Sequence, residues 1–286
     1  MRDSATIGAA SRTPEGFDIT PRNMHFSVEA LSHDWHGGDA FRTAYFNALS
    51  IMFPIGEQHF IDSVKFYRGQ ITDPALREHA QAFSAQEYIH RREHQRYNEA
   101  LCALRGYSLD RLEKPIRRRQ VWALKHLSSI VHLASTVAYE HWTAMLADAL
   151  LRKHEALAGA DPEMAALWRW HAIEESEHKA VAFDVYRAVG GTLGLRRYMM
   201  FVVTVQFFWD TFRHMRLMLR NYGGSRTALW FNGLRFLFGK GGVYRGLGRT
   251  YLDYFRRDFH PWDHDNRAEI VSNMQELNAR ASGAPS

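Results

Sequence analysis

One stretch, His171-Ala-Ile-Glu-Glu-Ser-Glu-His178, limits what this chain can fold into more than any other. His171, Glu175 and His178 stand at i, i+4 and i+7, so an α-helix stacks all three on one face. The Glu175-x-x-His178 pair recurs upstream as Glu87-Tyr-Ile-His90. Two such pairs, with one lone glutamate on each of two further helices, are the ligand set of a carboxylate-bridged dinuclear metal site inside a four-helix bundle. Glu57 and Glu140 are available for the lone positions. The fold class predicted is therefore all-α.

The helices that would carry these residues can be read from their punctuation. A helix is expected from about Asp39 to Gly69, kinked or interrupted at Pro54, with Glu57 just past the break among apolar neighbours. Taken alone, Glu57 reads as an exposed glutamate on an amphipathic helix, since charged side chains are seldom buried without partners. Asp73-Pro74 caps a second helix running to about Leu104 and ending at Gly106, with Glu87, His90 and His94 at i, i+3 and i+7. His94 is assigned a place behind the ligands or at the surface. Pro115 is expected to open a region reaching Ala158, whose first part crosses the bundle before the core helix with Glu140 begins. His141 lies about 100° around that helix from Glu140 and cannot face the same metal. Asp161-Pro162 repeats the cap, and its helix should run through His171 to Gly190-Gly191.

The depths agree. With the first turn centred near residue 71, Glu57 lies 14 residues before it and Glu87 and His90 lie 16 and 19 after. With the second centred near residue 160, Glu140 lies 20 before, and Glu175 and His178 lie 15 and 18 after. Each antiparallel hairpin thus places its Glu and its Glu-x-x-His at one level to within roughly 7 Å. A His and carboxylate set without thiolate suits iron or manganese, with zinc less favoured. Glu174 points elsewhere on its helix and is a candidate to receive the free ring N–H of His90.

The remainder of the chain bounds the organisation. Residues 1–24 are assigned to a disordered lead-in, 25–192 to the dinuclear bundle, 193–265 to aromatic, basic helices packed on it, and 266–286 to a last helix and a disordered tail. From Arg187 to Arg257 thirteen basic residues accompany only Asp210 and Asp253. The apolar run from Tyr198 to Trp209 is too short to span a bilayer and contains Thr204 and Gln206. Its Arg-rich aromatic context raises peripheral membrane contact, against core packing or a partner helix as the plainer reading. No nucleic-acid-binding motif accompanies the charge. The single cysteine, Cys102, excludes an internal disulfide and a thiolate metal site, and fits a reducing, cytoplasmic setting. His260 and His264, around Pro261, lack helical spacing and make a poor second metal site.

With these residues in hand, the chain resembles the ferritin-like di-iron superfamily. Gly56-Glu57-Gln58, Glu87-Tyr-Ile-His90 and Glu174-Glu175-Ser-Glu-His178 are similar to a bacterial family labelled predicted metal-dependent hydrolase. The His171-x3-Glu175-x2-His178 spacing is also similar to the arylamine N-oxygenases, such as p-aminobenzoate N-oxygenase, which use an additional histidine on the corresponding helix. The resemblance implies a ferritin-like bundle with additional C-terminal helices and two metal ions held by Glu57, Glu87, His90, Glu140, His171, Glu175 and His178. Glu57, Glu87, Glu140 and His171 are the candidate catalytic residues. It implies an enzyme oxidising a small organic substrate with O₂ at two iron ions, manganese or a mixed pair being alternatives, and drawing on an electron donor if it is an oxygenase. The competing activity is hydrolysis of an ester or phosphate, with the basic C-terminal third attracting an anionic substrate. A non-enzymatic iron store fits less well, because the chain is heavily elaborated beyond four helices. A dimer is compatible with the sequence.

Overall fold

The computed structural model describes residues 10–29 and 31–281, and the regular elements among them are all helices, with no strand. Helix α1 (Ala40–Tyr67) starts at Asp39, whose carboxylate accepts from the amides of Phe41 and Arg42 at 2.9 and 3.0 Å. It runs through Pro54, so that of the kink or interruption expected there the interruption does not occur. Proline has no N–H for the carbonyl four residues back, which here belongs to Ser50. Asn98 fills the gap, its Nδ2 donating to the Ser50 carbonyl at 2.8 Å. The missing helical bond is replaced by a cross-helix one, and the helix continues.

Helix α2 (Pro74–Arg105) keeps the predicted Asp73-Pro74 start and ends at Gly106, which takes a left-handed φ of 65°. The region expected to open at Pro115 begins earlier. Helix α3 (Leu109–His126) is capped by Ser108 and carries Pro115 in its interior. Leu127 is extended, and α4 (Ser129–Arg152) follows as a separate helix bearing Glu140. Helix α5 (Pro162–His178) is capped by Asp161 and stops right after His178 instead of continuing to Gly190. There Lys179 turns away, its Nζ donating to the His264 carbonyl and Asn266 Oδ1, both at 2.7 Å. Helix α6 (Val181–Ala188) resumes beyond that break.

Helices α1, α2, α4 and α5 form the bundle, α1 pairing chiefly with α2 and α4 with α5. Helix α7 (Leu193–Met218) lies against α1 and α4, and α3 packs beside α1 and α2. Beyond it come α8 (Arg226–Phe238), α9 (Leu247–Asp253), and α10 (Arg267–Ala281) on α5 and α4. The tail expected beyond Ala281 lies outside the described residues, as do residues 1–9.

The lead-in needs correcting. From Ala10 onward it lies on the bundle rather than free of it. The Ser11 amide donates to Asp73 Oδ2 at 2.7 Å, the Arg12 amide to Asp184 Oδ2 at 2.9 Å, and the Arg22 amide to Glu174 Oε1 at 3.0 Å. Buried and half-buried carboxylates on the bundle surface hold this polar segment in place, which no periodicity in the segment itself reveals.

Candidate metal centre

Glu57 on α1, Glu87 and His90 on α2, Glu140 on α4, and His171, Glu175 and His178 on α5 converge on one buried spot, each at most 4 % exposed. Single ligand atoms from Glu57, Glu87 and His90 lie within 4.8 Å of one another, and so do atoms from Glu87, Glu140 and His178. Glu87 belongs to both groups. Glu175 also faces both, with Oε1 3.5 Å from His90 Nδ1 and Oε2 3.6 Å from His178 Nε2. The arrangement has two centres, one beside His90 with Glu57 and one beside His178 with Glu140, with Glu87 and Glu175 between them. His171 joins the first, its Nε2 2.9 Å from Glu175 Oε1.

The polar atoms at this spot are orphaned. Both oxygens of Glu57, Glu87 and Glu140, together with Glu175 Oε2, His90 Nδ1 and His178 Nε2, are buried and make no hydrogen bond. His178 Nε2 does lie 3.1 Å from Glu87 Oε1, but the contact is not aligned as a hydrogen bond. Buried donors and acceptors are rarely left unmatched in a native fold, and each such loss costs about 1–3 kcal/mol. Two dications among these oxygens and imidazoles would satisfy all of them, so the residues present fit a dinuclear metal site. The donors are hard oxygens and imidazoles, and the free thiol, Cys102, is in the core elsewhere.

Protonation reflects the same excess of negative charge. Burial, with Glu87 and Glu175 nearby, holds the Glu57 carboxyl well above the usual carboxylate range. Burial does the same to Glu140, with His178 opposing. Burial also works to raise Glu175, but the surrounding His178, His171 and His90 outweigh it and hold that carboxyl low. His90 rises to about 10 against its own burial because Glu174 and Glu175 stabilise its cation. Without metal, the cage limits its charge by protonating the outer carboxylates and the His90 and His178 imidazoles, while burial and the neighbouring His90 lower His171 to about 4 and keep it neutral.

The outward nitrogens of the two histidines are fixed. His90 Nε2 donates to Glu174 Oε2 at 3.1 Å, the contact for which the sequence makes Glu174 a candidate. That leaves Nδ1 toward the centre. His178 Nδ1 lies 2.9 Å from Gln86 Oε1, leaving Nε2 inward. Gln86 and Glu174 are in turn tied to the N-terminal segment. Arg22 reaches Glu177 Oε1 at 2.6 Å and Glu174 Oε1 at 3.2 Å, and Gln86 Nε2 donates to Glu177 Oε2 at 2.8 Å. Partners of this kind orient metal-binding imidazoles and raise affinity. The sequence offered a weak signal for Gln86, four residues before His90 on one helical face, and none for Arg22.

His94 is fully buried beside the cage rather than at the surface. Its Nε2 lies 2.6 Å from His171 Nδ1 and its Nδ1 lies 2.8 Å from Ser50 Oγ. His141 faces away from the cage, toward the Thr250 carbonyl. His260 and His264 turn to different carboxylates, Asp184 at 3.0 Å and Asp253 at 3.2 Å, and so do not form a joint site.

A cavity of about 330 Å³ runs from this centre to the surface between α1, α3, α4 and α7. Glu57, His171 and Glu175 form its floor, and Phe53, Phe60, Val202 and Phe207 are among its apolar walls. Its one arginine, Arg119, is paired with Asp210. The volume falls in the roughly 300–1,000 Å³ range of small-molecule sites.

A family model described as predicted metal-dependent hydrolase matches residues 20–265. Neither the curated proteins nor the solved structures provide a match to the chain.

Proposed function

We propose that this chain, which belongs to the predicted metal-dependent hydrolase family, is a dinuclear metal enzyme acting on an apolar small molecule. The observation that carries the reading is the set of orphaned, buried carboxylate and imidazole atoms at the floor of an apolar cavity. Glu57, Glu87, His90 and Glu175, with His171, would hold one ion, and Glu87, Glu140, Glu175 and His178 the other. Two ions so held would supply Lewis acidity that acidifies a coordinated water or, as iron, electrons for O₂.

Hydrolysis is the first reading, supported by the family's description. The chain's own contributions are positional. Phe53, Phe60 and Phe207 exclude bulk water and leave Glu57 and His171 as the polar floor facing a substrate. Arg119 is engaged by Asp210, and burial with a neighbouring His132 lowers His59 to about 4, which keeps it neutral. No uncompensated cation therefore waits in the cavity for a phosphate. A neutral ester or amide suits it better than an anion.

Oxidation by O₂ is the second reading, favoured by the donor set itself. Four carboxylates around two sites, from a lone Glu on each of two helices and a Glu-x-x-His on each of two more, are the pattern of di-iron and di-manganese carboxylate bundles. The apolar walls at the cavity floor would shield an oxidation from bulk water.

Metal content of protein purified without chelator is the first measurement, with about two ions per chain expected. Neutral ester and amide panels under zinc, manganese and iron(II) should then show metal-dependent turnover. Silence on every panel, with O₂ uptake by the anaerobically iron-loaded protein, would replace hydrolysis by oxidation. Absence of bound metal would remove both.

A further inference from the structure

The outer surface of α7 is unlike that of the other helices. Tyr198, Phe201, Val205, Trp209 and Phe212 recur at intervals of three and four residues, which places them on one stripe. They are 49–65 % exposed, while the opposite side of α7 is buried against the bundle. A helix that is apolar all round is normally enclosed. Beside the stripe, α3 exposes Val121, Trp122 and Leu124, each more than half accessible. The two helices are joined by the Arg119–Asp210 ion pair.

Charge follows the same surface. Exposed Arg117, Arg118 and Lys125 flank the α3 residues, and exposed Arg197, Arg216 and Arg220 flank the stripe. Helix α7 has no acidic residue except Asp210, which is buried and neutralised by Arg119. From Lys114 to the end of α3 there is none. An apolar strip bordered by cations matches the interface of an anionic bilayer, where aromatic rings enter the headgroup boundary and arginines meet phosphates. No helix among the described residues is long and apolar enough to cross the membrane, so the contact would lie in its plane.

The cavity opens within this surface. Trp122, Leu127 and Tyr198 line the cavity and are themselves exposed, so lipid-facing surface and cavity wall are continuous. We infer that α7 and the end of α3 dock on an anionic lipid surface, and that the cavity takes its substrate, an amphiphile with a hydrocarbon chain, directly from that surface. The substrate half rests on the dinuclear reading above; the docking half does not.

The full chain, metal-loaded, should float with phosphatidylcholine vesicles that contain phosphatidylglycerol, much less with pure phosphatidylcholine, and the binding should weaken with salt. Phe201→Glu combined with Trp209→Glu changes outward residues that do not line the cavity. It should weaken vesicle binding by roughly tenfold or more, because two inserted aromatic surfaces are lost. Metal content and melting temperature should be unchanged. Val202→Trp fills the cavity. It should abolish binding of a fluorescent fatty-acyl amphiphile while vesicle binding persists.

No flotation with anionic vesicles at low salt, or equal binding to neutral ones, overturns the docking. So does a wild-type dimer that the Phe201→Glu, Trp209→Glu variant converts to monomer without any vesicle binding, since the stripe is then a self-interface. Failure of the acyl probe to bind overturns the substrate class. Metal content on the same preparation separates the two readings. Protein that floats without holding metal sinks the dinuclear proposal and leaves the docking, and protein that holds metal without floating does the reverse.

Discussion

His94 Nε2 and His171 Nδ1 lie 2.6 Å apart in a fully enclosed contact, and the direction of the proton between them can be deduced. Asn98 Nδ2 donates to the Ser50 carbonyl, so Asn98 Oδ1 is the acceptor for the Ser50 hydroxyl at 2.7 Å. With its hydrogen used there, Ser50 Oγ accepts from His94 Nδ1–H. His94 Nε2 is then bare and accepts from His171 Nδ1–H. His171 Nε2 is left as a lone pair facing Glu175 Oε1, an arrangement a cation between them would stabilise.

From that chain of bonds, His171→Ala should still bind two ions but alter their surroundings. Loaded with cobalt(II), the variant should show a changed visible spectrum at unchanged stoichiometry. Ser50→Ala frees the direction of the His94–His171 bond and should lower metal affinity roughly tenfold, the lower end for orienting partners. A cobalt spectrum of His171→Ala identical to that of wild type would show that His171 is not a ligand.

Glu57 should respond in opposite ways with and without metal. Burial raises its carboxyl well above the usual range, so a neutral amide is a near-isosteric replacement in the apoprotein. Glu57→Gln should melt at or above the wild-type temperature in the presence of chelator. Metal at a hundredfold excess over its dissociation constant stabilises wild type by about 2.7 kcal/mol per site, roughly 5–10 °C for a chain of this size. The variant should lose most of that rise. Calorimetry with and without metal checks both halves, and an unchanged metal response would remove Glu57 from the cage.

Arg22 should matter more than its place outside the bundle suggests. It neutralises Glu174 and Glu177, 0 % and 3 % exposed, which in turn set His90 and, through Gln86, His178. Removing one partner of a buried pair costs roughly 3–5 kcal/mol. Arg22 keeps some contact with solvent, so Arg22→Ala should cost less, about 2–3 kcal/mol. Metal affinity should fall by roughly 10–100-fold, while Arg22→Lys restores part of both. Urea titration and metal competition measure the two effects, and an affinity unchanged by Arg22→Ala would show that the N-terminal segment only covers the bundle.

The convergence of the seven predicted side chains was legible because helical period and hairpin length are local quantities. Glu57 and Glu87 needed only their distances from one turn to be placed at a common depth. What supports them was not legible. Arg22 lies in an extended segment whose position is set by carboxylates 62 to 172 residues away in sequence. Asn98 compensates for Pro54 across a helix pair, so the proline rule alone could not tell a kinked or interrupted helix from a continuous one. The outward stripe on α7 was visible as an apolar run, but sequence does not tell which side of a helix apolar all round lacks a covering neighbour.

His214 gives a pH dependence that can be isolated from the cage. It is buried on α7, and its Nε2 donates to the Leu112 carbonyl at 3.0 Å. Burial, then the adjacent Arg213, holds its pKa below 6.5 despite that bond and Asp210 nearby. The folded chain therefore keeps this ring neutral where the unfolded chain takes up a proton. Its contribution is complete above about pH 6.5 and is lost as pH falls from there toward the lowered folded value, with a slope of at most about 1.4 kcal/mol per pH unit. His214→Gln retains a donor for Leu112 and cannot titrate. In chelator, the stability of wild type minus that of the variant, from urea titrations between about pH 7 and about pH 5, should fall steadily toward acid. A difference that stays flat would mean that His214 titrates alike in the folded and unfolded chains, and that the Leu112 contact does not hold it neutral.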